Sequence, residues 1–90
     1  MNRRRARTNA KAISFVIGCE ETSRLEREIN SMLDDQPICL DRLHLRLREA
    51  IGAVKRVRDS GLGTKRLNMQ LSRFEKYCKS LLGIIVGHQH

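Results

Sequence analysis

Leu40, Leu43, Leu47, Ala50, Val54 and Val57 alternate three and four residues apart, and this spacing constrains the chain more than any other feature. On a strand, residues three apart point to opposite faces, whereas on an α-helix these six form one unbroken seam. Ile51 broadens the seam. The pattern therefore predicts a helix over residues 37–60, with Pro37 at home in its first turn and the acidic pair Asp34-Asp35 just before its positive end.

The segments on either side read the same way. Ser23 followed by Glu26 has the spacing of a capping box, and Leu25, Ile29, Met32 and Leu33 follow as a stripe. A first helix thus covers at least 23–34. It runs unbroken from about residue 10 if Ile13, Val16 and Ile17, which share a face, belong to it and Gly18 only weakens it. The connection through Asp34-Asp35-Gln36-Pro37 is short, so the first two helices pack as an antiparallel hairpin. Gly61-Leu62-Gly63 supplies the left-handed geometry that closes the second helix. Thr64 can cap a third over 64–86, whose seam is Leu67, Leu71, Phe74, Cys78, Leu81 and Ile85 and whose stop is Gly87.

The chain has 90 residues, no Trp, one Tyr and two Phe, too few aromatic residues for a small β-sandwich or barrel. The expectation is a single all-α domain over residues 10–90, a three-helix chain preceded by a flexible basic arm at 1–9. A core this small is marginal alone, and the spare seam surface suits dimerisation into a four-helix bundle.

Charge narrows the functional classes. The formal net charge is +8; residues 1–22 carry +3, 23–36 carry −2, 37–60 carry +3 and 61–90 carry +4. A balance this basic points to a polyanionic partner. On the second helix, Arg42, Arg46, Ala53 and Arg56 fall on one flank at about 100° per residue, and His44, Arg48, Lys55 and Arg58 fall on the other. Leu45, Glu49 and Gly52 form the outermost strip, with Gly52 and Ala53 keeping the surface low enough for a nucleic-acid backbone to come close. Glu49 and Asp59 are the only acids from residue 42 to 74.

Other chemistries lack their residues. Cys19, Cys39 and Cys78 are an odd set without paired spacing, which argues against a disulfide framework and for a reducing compartment. Cys39 and His44 point to different sides of the second helix, Cys78 lies in a seam, and His88 and His90 sit at the tail, so no metal site is expected. Gly61-Leu62-Gly63-Thr64-Lys65 lacks the spacing of a phosphate-binding loop. No nucleophile has an activating neighbour, and no cofactor, small-molecule substrate or enzymatic activity is expected. Arg3-Arg4-Arg5-Ala6-Arg7 and the apolar 13–17 run before Cys19 mimic an export signal, but the apolar part is short and Lys11 interrupts its approach. An acid-free 1–19 also has the composition of a mitochondrial presequence; a solvated arm that touches nucleic acid is the preferred reading. No run is long enough to span a membrane. With Phe74 in a seam and Tyr77 alone, no aromatic is placed to stack on unpaired bases, which leaves duplex recognition by backbone and shape.

The stretch Leu40-Asp41-x-Leu43-His44-x-x-Leu47-x-x-Ala50-x-x-x-Val54-x-Arg56 resembles the second helix of the small RNA-silencing suppressors encoded by nodaviruses, and the order of helix, short turn and basic helix is similar too. That resemblance implies an all-helical chain that dimerises as an antiparallel four-helix bundle along one face of double-stranded RNA. Such a dimer shields the RNA from Dicer-type cleavage in the host cytoplasm without reading its sequence. Arg56 is the position carried over most directly. Glu49 stands where the family pattern has a lysine, Arg46 where it has a small residue, and the third helix is longer and more regularly apolar than the family's. The expected RNA-binding set is Arg42, Arg46, Arg48, Lys55, Arg56, Arg58, Lys65 and Arg66. The alternatives are a helical protein-interaction subunit and a basic DNA-binding dimer, the latter lacking evident base-edge readers.

Overall fold

The computed structural model describes the backbone of residues 3–88 and the side chains of residues 10–87. It contains three helices, α1 (Arg3–Asp34), α2 (Leu40–Asp59) and α3 (Lys65–His88), and no strand among the described residues. The all-helical expectation holds.

Several boundaries differ from the sequence reading. The first helix takes its longer form and starts at Arg3, so residues 3–9, expected as a flexible arm, lie on α1. Ser23 and Glu26 are therefore mid-helix and cap nothing. The capping spacing is a local signal, and it cannot report that the residues before it are already helical. α2 begins at Leu40 behind an extended Cys39 that makes no side-chain cap bond. Pro37 thus stays in the connection, and Asp41 is the acid of the first turn. The second turn behaves as expected. Gly61 has φ +71°, the left-handed geometry glycine adopts without a Cβ penalty, and Thr64 Oγ1 accepts the Leu67 N–H at 3.1 Å. α3 then continues through Gly87 to His88.

α2 packs against both other helices. Leu43, Leu47, Ala50, Val54 and Val57 of the seam are buried together with Ala53. They meet Leu25 and Ile29 of α1 and Leu71, Phe74, Cys78 and Ile85 of α3 in one core. Gly18 fixes how close α1 comes, because a Cβ built there would lie 2.7 Å from Val57 Cγ2. One turn on, the buried Thr22 hydroxyl donates to the Gly18 carbonyl at 2.8 Å, which satisfies a polar group that the core otherwise leaves unpaired. Gly18 against Val57, Glu21 beside Arg56 and Glu28 beside Arg46 make the α1–α2 hairpin antiparallel.

The molecule is a rod, 56 × 21 × 20 Å, with a radius of gyration of 15.6 Å, against about 12 Å for a compact chain of this length. The excess comes from α1. With Gly18 opposite the end of α2, the part of α1 before Phe15 projects past the α2–α3 turn by about 18 Å at 1.5 Å per residue. Its bundle side carries Phe15, Gly18, Cys19, Thr22, Leu25 and Ile29. Ile13, Val16 and Ile17 do share a face, but it is the opposite one, and they remain 59%, 52% and 56% exposed.

Gly18→Ala tests the closest approach. The substitution gains up to about 1 kcal/mol of helix propensity, but forcing a methyl against a buried valine costs about 1–3 kcal/mol. The urea midpoint should fall, and the loss should vanish in a Val57→Ala background. A raised midpoint for Gly18→Ala alone would remove the contact from the account.

Candidate nucleic-acid interface

The expected binding residues divide into two groups, because the two flanks of α2 are the sides on which α1 and α3 pack. Arg46, Arg56 and Arg58 turn toward acids. Arg46 Nη1 donates to Glu49 Oε1 at 3.1 Å, and its Nε lies 3.2 Å from Glu28 Oε2, within ion-pair range although not aligned as a hydrogen bond. Arg24 Nη1 holds the other Glu28 oxygen at 3.1 Å. Arg56 reaches both oxygens of Glu21 at 3.4 Å from an exposed position. Arg58 grips Glu75 of α3 as a fork, Nη1 to Oε1 at 2.9 Å and Nη2 to Oε2 at 3.3 Å, with Ser72 Oγ 3.5 Å away.

Arg58–Glu75 is the pair in which burial counts. The Glu75 side chain is only 14% exposed, and a bidentate guanidinium–carboxylate contact is the strong geometry for such a pair. The hydrogen bond from Arg58 holds the Glu75 carboxyl below the usual carboxylate range against the opposing effect of burial; the Arg58 charge, Lys79 and Lys55 act in the same direction as the bond. The same bond raises Arg58.

Arg42, Arg48, Lys55, Lys65 and Arg66 form the second group. All are exposed and have no ion-pair partner among the described residues. On α2 they share the outward surface with exposed Asp41, Glu49 and Asp59. The low strip expected there is not open. Ala53 is fully buried, since its flank faces α1, and the Arg56 guanidinium lies 3.7 Å from where a Gly52 Cβ would be. Periodicity gave the angular position of both residues but not which sides of α2 would acquire neighbours.

Arg73, Lys76 and Lys79, outside the expected set, lie on the polar side of α3 with Lys65 and Arg66, as their helical spacing requires. They too are exposed. The cysteines are separate, with Cys39 exposed, Cys19 half-buried and Cys78 buried. Burial, helped by the charges of Glu26 and Glu75, pushes the Cys78 thiol up to about 11, so it is protonated at neutral pH. No group of three potential metal ligands occurs among the described residues, and none of the described helices is long and apolar enough to cross a membrane. No protein-family model, curated protein or solved structure matches the chain.

The Arg58–Glu75 pair gives a pH dependence with a defined sign. A carboxyl held low in the fold adds stability that is fully present above its unfolded value of about 4.3 and is lost as pH falls through the lower native one. Urea stability measured from pH 6 downward (a range of ordinary carboxylate titration) should decline more steeply for the wild type than for Glu75→Gln. Parallel profiles would mean that the pair does not form in solution.

Proposed function

We propose that this protein binds double-stranded RNA as a homodimer, through the phosphate backbone and without reading sequence, and that by occupying the duplex it shields it from Dicer-type processing and suppresses host RNA silencing. The observation that carries the reading is a surface of exposed, unpaired Arg and Lys on a helical rod, with Tyr77 the single exposed aromatic side chain among the described residues. Cations of this kind bind polyanions by counterion release, and they are indifferent to base order. The nodavirus-type pattern along α2 supports the reading further. Of its apolar positions, Leu43, Leu47, Ala50 and Val54 are core residues while Leu40 is exposed, and its Arg56 is exposed with Glu21 as its partner.

The dimer rests on α1. Ile13, Val16 and Ile17 are apolar, exposed and turned away from the chain's own core. A helical projection of this length is poorly stable unsupported. A second copy laying its own α1 against this stripe covers both at once and places two α1–α2 hairpins side by side as a four-helix bundle. The same stripe would serve a helical interaction subunit equally well, and in that case the partner would be another protein.

A gel shift comparing duplex RNA, duplex DNA and single-stranded RNA, run beside a sizing column, tests the reading. Duplex RNA should bind in preference to single strands, independently of sequence, and should resist Dicer when coated. Ile13→Glu/Ile17→Glu should elute as a monomer and bind duplex more weakly. Indifference to duplex RNA would end the RNA reading, and an unchanged elution volume for the double variant would end the α1 dimer.

A further inference from the structure

We propose that the outward face of α3, formed by Lys65, Arg66, Arg73, Lys76 and Lys79, is a phosphate-binding track in its own right and carries more of the duplex than the exposed face of α2. This rests on the nucleic-acid reading above and says which surface of the rod does the binding. All five residues are exposed. The one acid within their span, Glu75, is turned inward and held by Arg58, with Lys79 at the outer limit of its range at 4.0 Å. The carboxylates near the track are thus Glu75, engaged by Arg58, and Glu26 of α1, which shares a groove with Arg73, while Lys65, Arg66 and Lys76 have no ion-pair partner among the described residues.

The contrast with α2 is electrostatic. There Arg42, Arg48, Lys55 and Arg56 share the surface with Asp41, Glu49 and Asp59, and Arg56 is already engaged by Glu21. An approaching phosphate meets these acids on the same surface as the cations, and each like charge opposes it. From Lys65 to Lys79 the α3 track is about 21 Å long at 1.5 Å per residue. A duplex alongside it presents one phosphate per about 1.7 Å of axis, both strands counted, so phosphates outnumber the cations along the track. The positive end of the α3 dipole lies at Lys65 and adds to the same field.

The packing of α3 favours nucleic acid over an anionic membrane. A helix that lies in a lipid interface keeps an apolar face free to enter it. The core-facing apolar side of α3 is occupied: Leu71, Phe74, Cys78 and Ile85 are in the core, while Met69 and Tyr77 are exposed among the cations and Ile84 and Val86 are exposed beyond them.

The test compares two triple variants, Lys65→Gln/Arg66→Gln/Arg73→Gln on α3 and Arg42→Gln/Arg48→Gln/Lys55→Gln on α2, with circular dichroism as the check on folding. Each binds a short blunt RNA duplex of arbitrary sequence between 50 and 200 mM salt. Each phosphate contact contributes about 0.9 to the salt slope on B-form duplex, taken to be of the same order on RNA. Losing three contacts should therefore shrink the salt-induced loss of affinity over this range by about 40-fold, and the α2 variant should change it less. Should the α3 triple fail to fold, Lys65→Gln alone should still lower the slope by about 0.9. A wild-type slope for the α3 variant together with a flattened one for the α2 variant would overturn the α3 track and leave RNA binding intact. Failure of the wild type to bind duplex at all would overturn both. Binding only to phosphatidylserine vesicles, lost in the α3 variant, would assign the face to lipid instead.

Discussion

Every packing contact in this small protein depends on α2 being covered from two sides. Its apolar surface, from Leu43 to Val57 and widened by Ala53, is too broad for one neighbouring helix to shield. Burial of that surface is the main favourable term in folding, so α1 and α3 both come to it. The consequence is electrostatic as much as hydrophobic. The residues bordering a wide apolar stripe are the ones that meet the neighbours' edges, and on α2 these are arginines. Glu21 and Glu28 of α1 and Glu75 of α3 sit where those arginines arrive. Much of the cationic flank of α2 thereby works as mortar between helices.

This division of labour explains why charge count alone misleads about surface potential. The chain carries +8, but the charge is not available evenly. Arg46 and Arg58 are held by acids across helix boundaries, whereas the cations on α3 have nearby only Glu75, which faces inward, and Glu26 of α1, which shares a groove with Arg73. Polyanions respond to the unpaired remainder. On the rod this remainder is richest near the α2–α3 turn and along the first part of α3, the end past which α1 also projects.

The helices, the turn at Gly61, the cap at Thr64 and most of both seams were legible in the sequence, because each is written in spacing or in a residue whose chemistry admits one use. Leu71, Phe74 and Cys78 are buried as their period requires. The rest was not legible because it depends on where the chain meets itself. Ile13, Val16 and Ile17 have the spacing of a core stripe, but Gly18 offers a closer approach on the opposite side of α1, and that approach turns the three outward. Gly52 and Ala53 look equally small in the sequence. Only the position of α1 decides that one is buried and the other lies beneath an arginine.

The fork between Arg58 and Glu75 has a consequence beyond its energy. Ion pairs near a surface contribute little to stability, yet successive residues on a helix are separated by a rotation of about 100°. A fork with two fixed bonds tolerates no such turn. It therefore acts as an indexing pin on the third helix, fixing the angle at which α3 meets the rest of the rod. The apolar face sets the coarse angle, since a turn of one residue position would carry Leu71, Phe74 and Cys78 out of the core, and the fork settles the angle within that range. The direction in which the outer cations point is thus trimmed by a pair at the border between α2 and α3, where Glu75 is mostly covered and Arg58 is 35% exposed.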